Sequence, residues 1–270
     1  MNNMFQTLSE ASSKGAEILM GLYNQEIKIS AKSMPGDIVT EADLKSQDAI
    51  VESLLKSMFA KGFEEEEIGF ITEENFVKPG AHTFIIDPLD GTSNYASGSD
   101  RFAVSIAYMH NGEILAGIIH NPVTNIIYYG EKGKGAYKIE NGKKEKLEIK
   151  EKPLEKSLVS INSSPDPKQA VKMFQLAIDL TPHVLRVREQ GSLTLSLIGV
   201  VENKFQAHLN LGTSVWDIAA VKIIIEEAGG VVMDWRGNPI NFDFEEVNKH
   251  YPVLAGHSNV LKKIIKYINA

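Results

Sequence analysis

Two acidic segments lie far apart in this chain, Asp87-Pro88-Leu89-Asp90-Gly91-Thr92-Ser93-Asn94-Tyr95 and Trp216-Asp217-Ile218-Ala219-Ala220. A chain that uses their three carboxylates together has to close a long stretch of sequence around one point, which only a folded domain can do. In the first segment, Thr83-Phe84-Ile85-Ile86 reads as a short apolar strand. Pro88 has no N–H for a sheet ladder and predicts the end of that strand where the aspartates begin. Asp87 and Asp90 are therefore expected in a turn at the strand's carboxyl end. Mg²⁺ is a hard cation that takes carboxylate, hydroxyl, water and phosphate oxygens, a set to which Asp87, Asp90 and the Thr92 hydroxyl belong. Gly91 admits positive φ, so that the N–H groups of Gly91, Thr92 and Ser93 can form an anion-binding nest. Asp-Pro and Asp-Gly are also ordinary turn formers, and turn chemistry alone accounts for either pair.

The second segment reads as a helix start. Ile218, Ala219, Ala220, Ile223 and Ile224 form an apolar stripe that Gly229-Gly230 stops. Asp217 falls in the first turn, where a carboxylate also complements the helix dipole without any ligand.

Together these segments resemble the two signatures of the inositol monophosphatase family, with Glu227-Ala228-Gly229-Gly230 completing the second. Asp37-Ile38-Val39-Thr40-Glu41-Ala42-Asp43 and Gly69-Phe70-Ile71-Thr72-Glu73-Glu74 match its pattern upstream, and the similarity runs from about residue 5 to about residue 265. Four motifs in the right order carry more weight than either signature alone. The resemblance implies a Mg²⁺-dependent, lithium-sensitive phosphomonoesterase that uses two to three ions. Glu73, Asp87, the Leu89 carbonyl and Thr92 would surround the first; Asp87, Asp90 and Asp217 would hold the second; Asp43 and Glu73 would help place a third. The N–H groups of Gly91 and Thr92 would receive the phosphate. Asp43, Glu73 and Thr92 would be catalytic, with Thr92 relaying a proton through Asp43 to activate water. Asp90 as an aspartyl-phosphate nucleophile is the competing mechanism.

On the substrate side the resemblance points to Asp90, Gly91, Thr92, Ser93, Gly191, Ser192, Leu193 and Asn210. The position of Asn210 is usually acidic in inositol-specific members, and Leu193 is bulkier than the residue often found there. Inositol 1-phosphate leads. Fructose 1,6-bisphosphate, adenosine 3′,5′-bisphosphate, NADP⁺ and histidinol phosphate follow, with Lys32 and Arg188 as local positive charges for a second phosphate. A role as an accessory factor in transcription or RNA maturation is the alternative of another class.

Composition narrows the rest. The 270 residues are 43% hydrophobic, enough for a sizeable core. The net charge of −7, from 28 basic and 35 acidic residues, argues against nucleic-acid binding. Cysteine is absent, which excludes disulfides, and the seven histidines show no H-E-x-x-H spacing. Glu10, Lys14 and Glu17 interrupt the apolar run a signal peptide needs, so a cytoplasmic protein with no membrane partner is expected. A small phosphorylated metabolite is the expected partner, and the resemblance adds a homodimer.

Periodicity predicts helices over Phe5 to Tyr23, Ala42 to Ala60, Lys168 to Ile178, Leu193 to Val201 and Asn259 to Ile268. A break falls at Met34-Pro35-Gly36 between the first two, and the Glu64–Glu67 run is expected in a solvated connection. Asn111-Gly112 and Asn141-Gly142 predict hairpins, and Phe205 to Leu209 a strand. The order is α+β, and the resemblance sharpens it to the α-β-α-β-α sandwich of the inositol monophosphatase and fructose-1,6-bisphosphatase type. An N-terminal lobe, 1–150, would carry most metal ligands, and a C-terminal lobe, 151–270, the substrate-side residues and Asp217, as one compact unit.

Overall fold

The computed structural model describes residues 4–26, 28–31, 38–74, 77–78, 80–244, 246 and 249–268. Lys32 and the Met34-Pro35-Gly36 break lie outside the described residues. The first two predicted helices are α1 (Met4–Leu22) and α2 (Glu41–Phe59), with the antiparallel pair β1 (Ile29–Ala31) and β2 (Ile38–Thr40) between them in sequence. Each helix has one apolar face, Leu8, Ala11 and Leu19 on α1 and Ile50, Leu54 and Met58 on α2, and those faces are buried.

A large sheet follows: β3 (Ile68–Thr72), β4 (Val77–Lys78), β5 (His82–Asp90), then the short helix α3 (Thr92–Ala96), β6 (Ala103–His110), β7 (Glu113–Asn121), β8 (Ile126–Glu131), β9 (Gly135–Glu140) and β10 (Lys143–Lys146). Its order is β10-β9-β8-β7-β6-β5-β3-β4, antiparallel except where β3 runs parallel to β5. Both Asn-Gly pairs make the predicted hairpins, with Asn111 and Gly112 at φ 50° and 82° and Asn141 and Gly142 at φ 51° and 75°. Two positive φ angles in succession match the right-handed twist of the flanking strands.

The second half contributes β11 (Leu158–Asn162), α4 (Pro167–Leu180), β12 (Arg186–Glu189), α5 (Leu193–Val201), β13 (Ala207–Thr213), α6 (Val215–Glu227), β14 (Val231–Met233), β15 (Tyr251–Gly256) and α7 (Ser258–Ile268). Its sheet has the order β12-β11-β13-β15-β14. Alternation along the strands divides the core. In β5, Phe84 and Ile86 join Leu8 and Ile50 under α1 and α2, while Ile85 faces the opposite way, toward Val221 and Ile224 of α6. In the second sheet Val253 and Ala255 face that middle layer, while Leu209 and Leu254 face α4 and α7. Helix α6 is apolar nearly all round, as a helix enclosed between two sheets must be. The layers are thus helices, sheet, helices, sheet, helices, as the sequence reading expected.

One expectation is corrected. The strand carrying the aspartates does not end at Pro88 but runs on to Asp90. Register shifts between the pairs Asp87↔Ser105 and Asp90↔Ala103, so the proline sits in an irregularity where no ladder N–H is required. The aspartates are therefore fixed by a sheet rather than carried on a free turn.

Candidate active site

Asp87 is 1% exposed, and its Oδ1 accepts the N–H of Leu89 at 2.9 Å. Gly91 then turns the chain at φ 88°, and a Cβ there would stand 2.8 Å from the carbonyl oxygen of Arg101. Only glycine meets both conditions without displacement. The turn opens α3, whose first residue, Thr92, directs Oγ1 at two acceptors, Asp43 Oδ1 at 3.1 Å and the Leu89 carbonyl at 3.1 Å. A hydroxyl has one proton, so the two acceptors share it.

Asp43 reaches this point from the first turn of α2. Its Oδ2 accepts the Thr40 N–H at 2.8 Å and the Thr40 hydroxyl at 2.6 Å, a capping box that also starts the helix. Ser46 Oγ donates to the Pro88 carbonyl at 3.0 Å and ties α2 to the β5 irregularity. Glu73 follows β3, and its N–H donates to the Ile86 carbonyl at 3.1 Å, which holds it beside the β5 aspartates. Asp217 sits at the third position of α6 with a capping box of its own, its Oδ2 accepting the Ser214 N–H at 2.9 Å and the Thr213 hydroxyl. The helix-cap role and the site role therefore coincide in one residue.

Asp90 is held from the other half of the chain. Its Oδ1 accepts the Leu193 N–H at 3.0 Å, and its Oδ2 accepts the Thr194 N–H at 3.1 Å, the Thr194 hydroxyl at 2.5 Å and the Ser192 hydroxyl. All these donors belong to the cap and first turn of α5.

Electrostatically the group is in tension. Burial pushes Asp87 well above the usual carboxylate range, and Glu73, Asp90 and Asp217 push it further; Glu73 also hydrogen-bonds it. Asp217, pushed up to about 7, is raised first by burial and then by Glu73, against the Thr213 hydroxyl. Although that residue keeps some exposed surface, its carboxyl lies among other carboxylates. Burial raises Asp90 despite its Ser192 and Thr194 donors, and raises Asp43 despite Thr40. Among the described residues, the charged groups that act most strongly on Asp87 are all acidic. Uncompensated buried carboxylates of this kind fit a divalent hard cation, which would supply the missing positive charge. Among the described residues no three His, Asp or Glu side chains already close around one point. The Leu89 carbonyl and Thr92 hydroxyl, together with water, are the further oxygens such an ion accepts.

The substrate-side residues are more dispersed. Gly191 adopts φ 70°, and a Cβ there would lie 2.7 Å from the Asn94 side chain, whose Nδ2 donates to the carbonyls of Gln190 and Arg101 at 2.9 and 2.8 Å. Ser192 caps α5 by accepting the Leu195 N–H at 3.2 Å. The Leu193 side chain is buried in the middle apolar layer, so it is the N–H that faces the acidic group. Asn210 spends its side-chain oxygen on the Gly212 N–H at 2.7 Å, while its backbone carbonyl accepts the Trp235 indole at 2.8 Å. Ser93 is exposed. Arg188 is exposed on β12, its Nη1 donating to the Val187 carbonyl at 2.9 Å.

Sequence reasoning passed over Thr40, Thr213 and Thr194, which hold carboxylates in place. Thr40 and Ser214 are visible in retrospect as hydroxyl residues three positions before an aspartate. Thr194 carries no such local signal, because its partner is more than a hundred positions away.

Comparison with known proteins covers nearly the whole chain. A model of the inositol monophosphatase family matches residues 1–270. An inositol-1-monophosphatase of Mesorhizobium japonicum is 32% identical over 245 residues, 90% of this chain and 87% of that one. A fructose-1,6-bisphosphatase/inositol-1-monophosphatase of Thermotoga maritima is 33% identical over 229 residues, 84% of this chain and 83% of that one. Among solved structures, the extragenic suppressor protein suhB of Bartonella henselae superposes with a TM-score of 0.85 at 27% identity, covering 98% of both chains. No helix among the described residues is long and apolar enough to cross a membrane. With its family pattern spanning the whole length, this chain belongs to the inositol monophosphatase family, metal-dependent hydrolases of phosphoric monoesters.

Proposed function

We propose that this chain hydrolyses a small phosphate monoester with water and Mg²⁺, inositol 1-phosphate being the leading substrate. The observation that carries this reading is the set of Asp43, Glu73, Asp87, Asp90 and Asp217, in which the Glu73 charge raises Asp43, Asp87 and Asp217 and the Asp90 charge raises Asp87 and Asp217. Glu73, Asp87, the Leu89 carbonyl and Thr92 would hold one ion, and Asp87, Asp90 and Asp217 a second, with Asp43 and Glu73 helping a weaker third. When bound, the ions neutralise phosphate charge, acidify the attacking water and screen the leaving oxygen. Thr92 Oγ1 would take a proton from that water as it passes its own to Asp43 Oδ1, 3.1 Å away. The N–H groups of Gly91 and Thr92 would hold the phosphate oxygens, and the Gly91 turn keeps that backbone open to a ligand. Ser93, Gly191, Ser192, Leu193, Arg188 and Asn210 would border the alcohol portion. The cytoplasm, a homodimer and lithium sensitivity complete the proposal.

A specific observation favours a second substrate, fructose 1,6-bisphosphate. Asn210 is neutral, and its side-chain oxygen is committed to Gly212 instead of projecting a free acceptor. A relative that carries both phosphatase names is as similar to this chain as the inositol-named one. Phosphate release from inositol 1-phosphate, fructose 1,6-bisphosphate, adenosine 3′,5′-bisphosphate, NADP⁺ and histidinol phosphate, each with and without Mg²⁺, tests reaction and substrate together. Preference for the inositol ester supports the leading reading, and equal rates across the panel overturn it. Asp90→Asn should abolish Mg²⁺-dependent turnover. Should it spare activity, this chemistry falls; should it abolish activity yet spare a cellular phenotype, an accessory role in transcription or RNA maturation gains ground.

A further inference from the structure

Asp90 receives more donors than burial requires. The Leu193 N–H on Oδ1, with the Thr194 N–H and the Ser192 hydroxyl on Oδ2, already gives each oxygen a partner. The Thr194 hydroxyl adds a third donor to Oδ2 at 2.5 Å. A carboxylate offers about four lone-pair sites in all, roughly two on each oxygen. Oδ2 is therefore saturated, whereas Oδ1 keeps one direction open. Thr194 is 0% exposed and spends its hydroxyl on this contact, 104 positions away in sequence, rather than on the carbonyl of a preceding turn. Ser192 is already occupied in capping α5 through the Leu195 N–H, so Thr194 is the side chain free to act on Asp90 alone.

We propose that Thr194 is a positioning residue for the second cation: its hydroxyl, added to the Thr194 N–H and Ser192 hydroxyl that already fill Oδ2, fixes the rotation of the Asp90 carboxylate so that Oδ1 is the oxygen turned toward the ion shared with Asp217. The inference rests on the metal assignment proposed above and deepens it. It also makes the second ion's seat a joint product of both halves of the chain, since the ligand belongs to β5 and its orientation to α5. Hydrogen bonds of this kind orient metal ligands, and losing one typically weakens metal affinity by about 10–100-fold. In Thr194→Ala the carboxylate gains freedom to turn. In Thr194→Val a methyl group takes the hydroxyl's place, and carbon cannot approach oxygen to hydrogen-bond distance, so Asp90 has to rotate.

Isothermal titration of the full chain with MgCl₂ tests this, with Asp217→Asn identifying the heat that belongs to the second ion. Thr194→Ala and Thr194→Val should weaken that phase by about tenfold and leave the Glu73–Asp87 phase unchanged, while Thr194→Ser keeps the wild-type phase. The Mg²⁺ concentration for half-maximal activity should rise in step. Thermal unfolding in EDTA reads each variant's own stability, so that lost packing is separated from lost binding. If Thr194→Ala binds Mg²⁺ as the wild type does while melting lower, or if Thr194→Ser loses as much as Thr194→Ala, the positioning role is refuted. Wild-type protein that takes up no Mg²⁺ would refute the metal assignment instead.

Discussion

Thr92 Oγ1 lies 3.1 Å from Asp43 Oδ1, a hydrogen bond that joins the first turn of α2 to the first residue of α3. Burial pushes the Asp43 carboxyl upward, toward the range in which a carboxylate accepts a proton from a water-derived group. If the pair moves one proton together, its members are not independent. Thr92→Ala and Asp43→Asn should each lower kcat by about 10²–10³. The double variant should cost little beyond either single one, because groups acting as a unit are strongly non-additive. Steady-state rates at saturating Mg²⁺ decide it, and multiplicative losses would separate the two residues.

How much of this was readable beforehand depends on whether the cause was local. Helix α6 and its first-turn Asp217 follow from apolar spacing and a Gly-Gly stop, and the two hairpins from Asn-Gly pairs, all within a few residues. Strands β11, β12 and β15 were not anticipated. The edge strand β12 is mostly exposed and has no alternation to read, and β15 contains Pro252 in an otherwise apolar run. The continuation of β5 past Pro88 was also hidden, because a proline ends a strand unless the partner's register slips to accommodate it. At the site, the carboxylates were legible as residue types in order. The clamp of Ser192, Leu193 and Thr194 on Asp90 was not, since it joins segments with no sequence relation.

Gly91 is the backbone counterpart of that ligand set. Its φ of 88° and the 2.8 Å approach of the Arg101 carbonyl leave no room for a Cβ. Gly91→Ala should lower stability by about 1–3 kcal/mol, and kcat/KM should fall as the N–H groups of residues 91 and 92 swing away from the phosphate position. Thermal unfolding and turnover measured on the same preparation check both. An alanine variant with unchanged Tm and unchanged rate would show that the turn relaxes freely.

His208 sets a pH dependence remote from the carboxylates. It is 0% exposed on β13, its Nδ1 pairs with Ser160 Oγ at 2.9 Å, and its buried Nε2 has no partner among the described residues. Burial pushes its pKa down to about 3, whereas an unfolded histidine titrates near 6.5. Below that unfolded value the unfolded chain binds a proton that the folded chain refuses. Stability is therefore kept above pH 6.5 and lost as pH falls toward about 3. His208→Gln should flatten urea-unfolding free energies between about pH 6 and 4.5, by up to about 1.4 kcal/mol per pH unit. The acidic group titrates in both proteins and cancels in the difference. Parallel curves would mean that the folded protein admits the proton.

Lithium is a test of the second-ion ligands. Asp90 offers one open oxygen and Asp217 a carboxyl whose Oδ2 already accepts two donors, so the proposed shared seat would be built from oxygen. Li⁺ is a compact hard cation and suits such a seat, yet it brings one charge where the leaving oxygen needs the screening of two. LiCl should therefore lower Mg²⁺-dependent phosphate release at concentrations where NaCl of equal ionic strength does not. The loss should deepen with LiCl concentration, while the matched NaCl series stays flat apart from ordinary salt screening. Superimposable LiCl and NaCl curves would remove lithium sensitivity from the proposal and leave the Thr92–Asp43 chemistry standing.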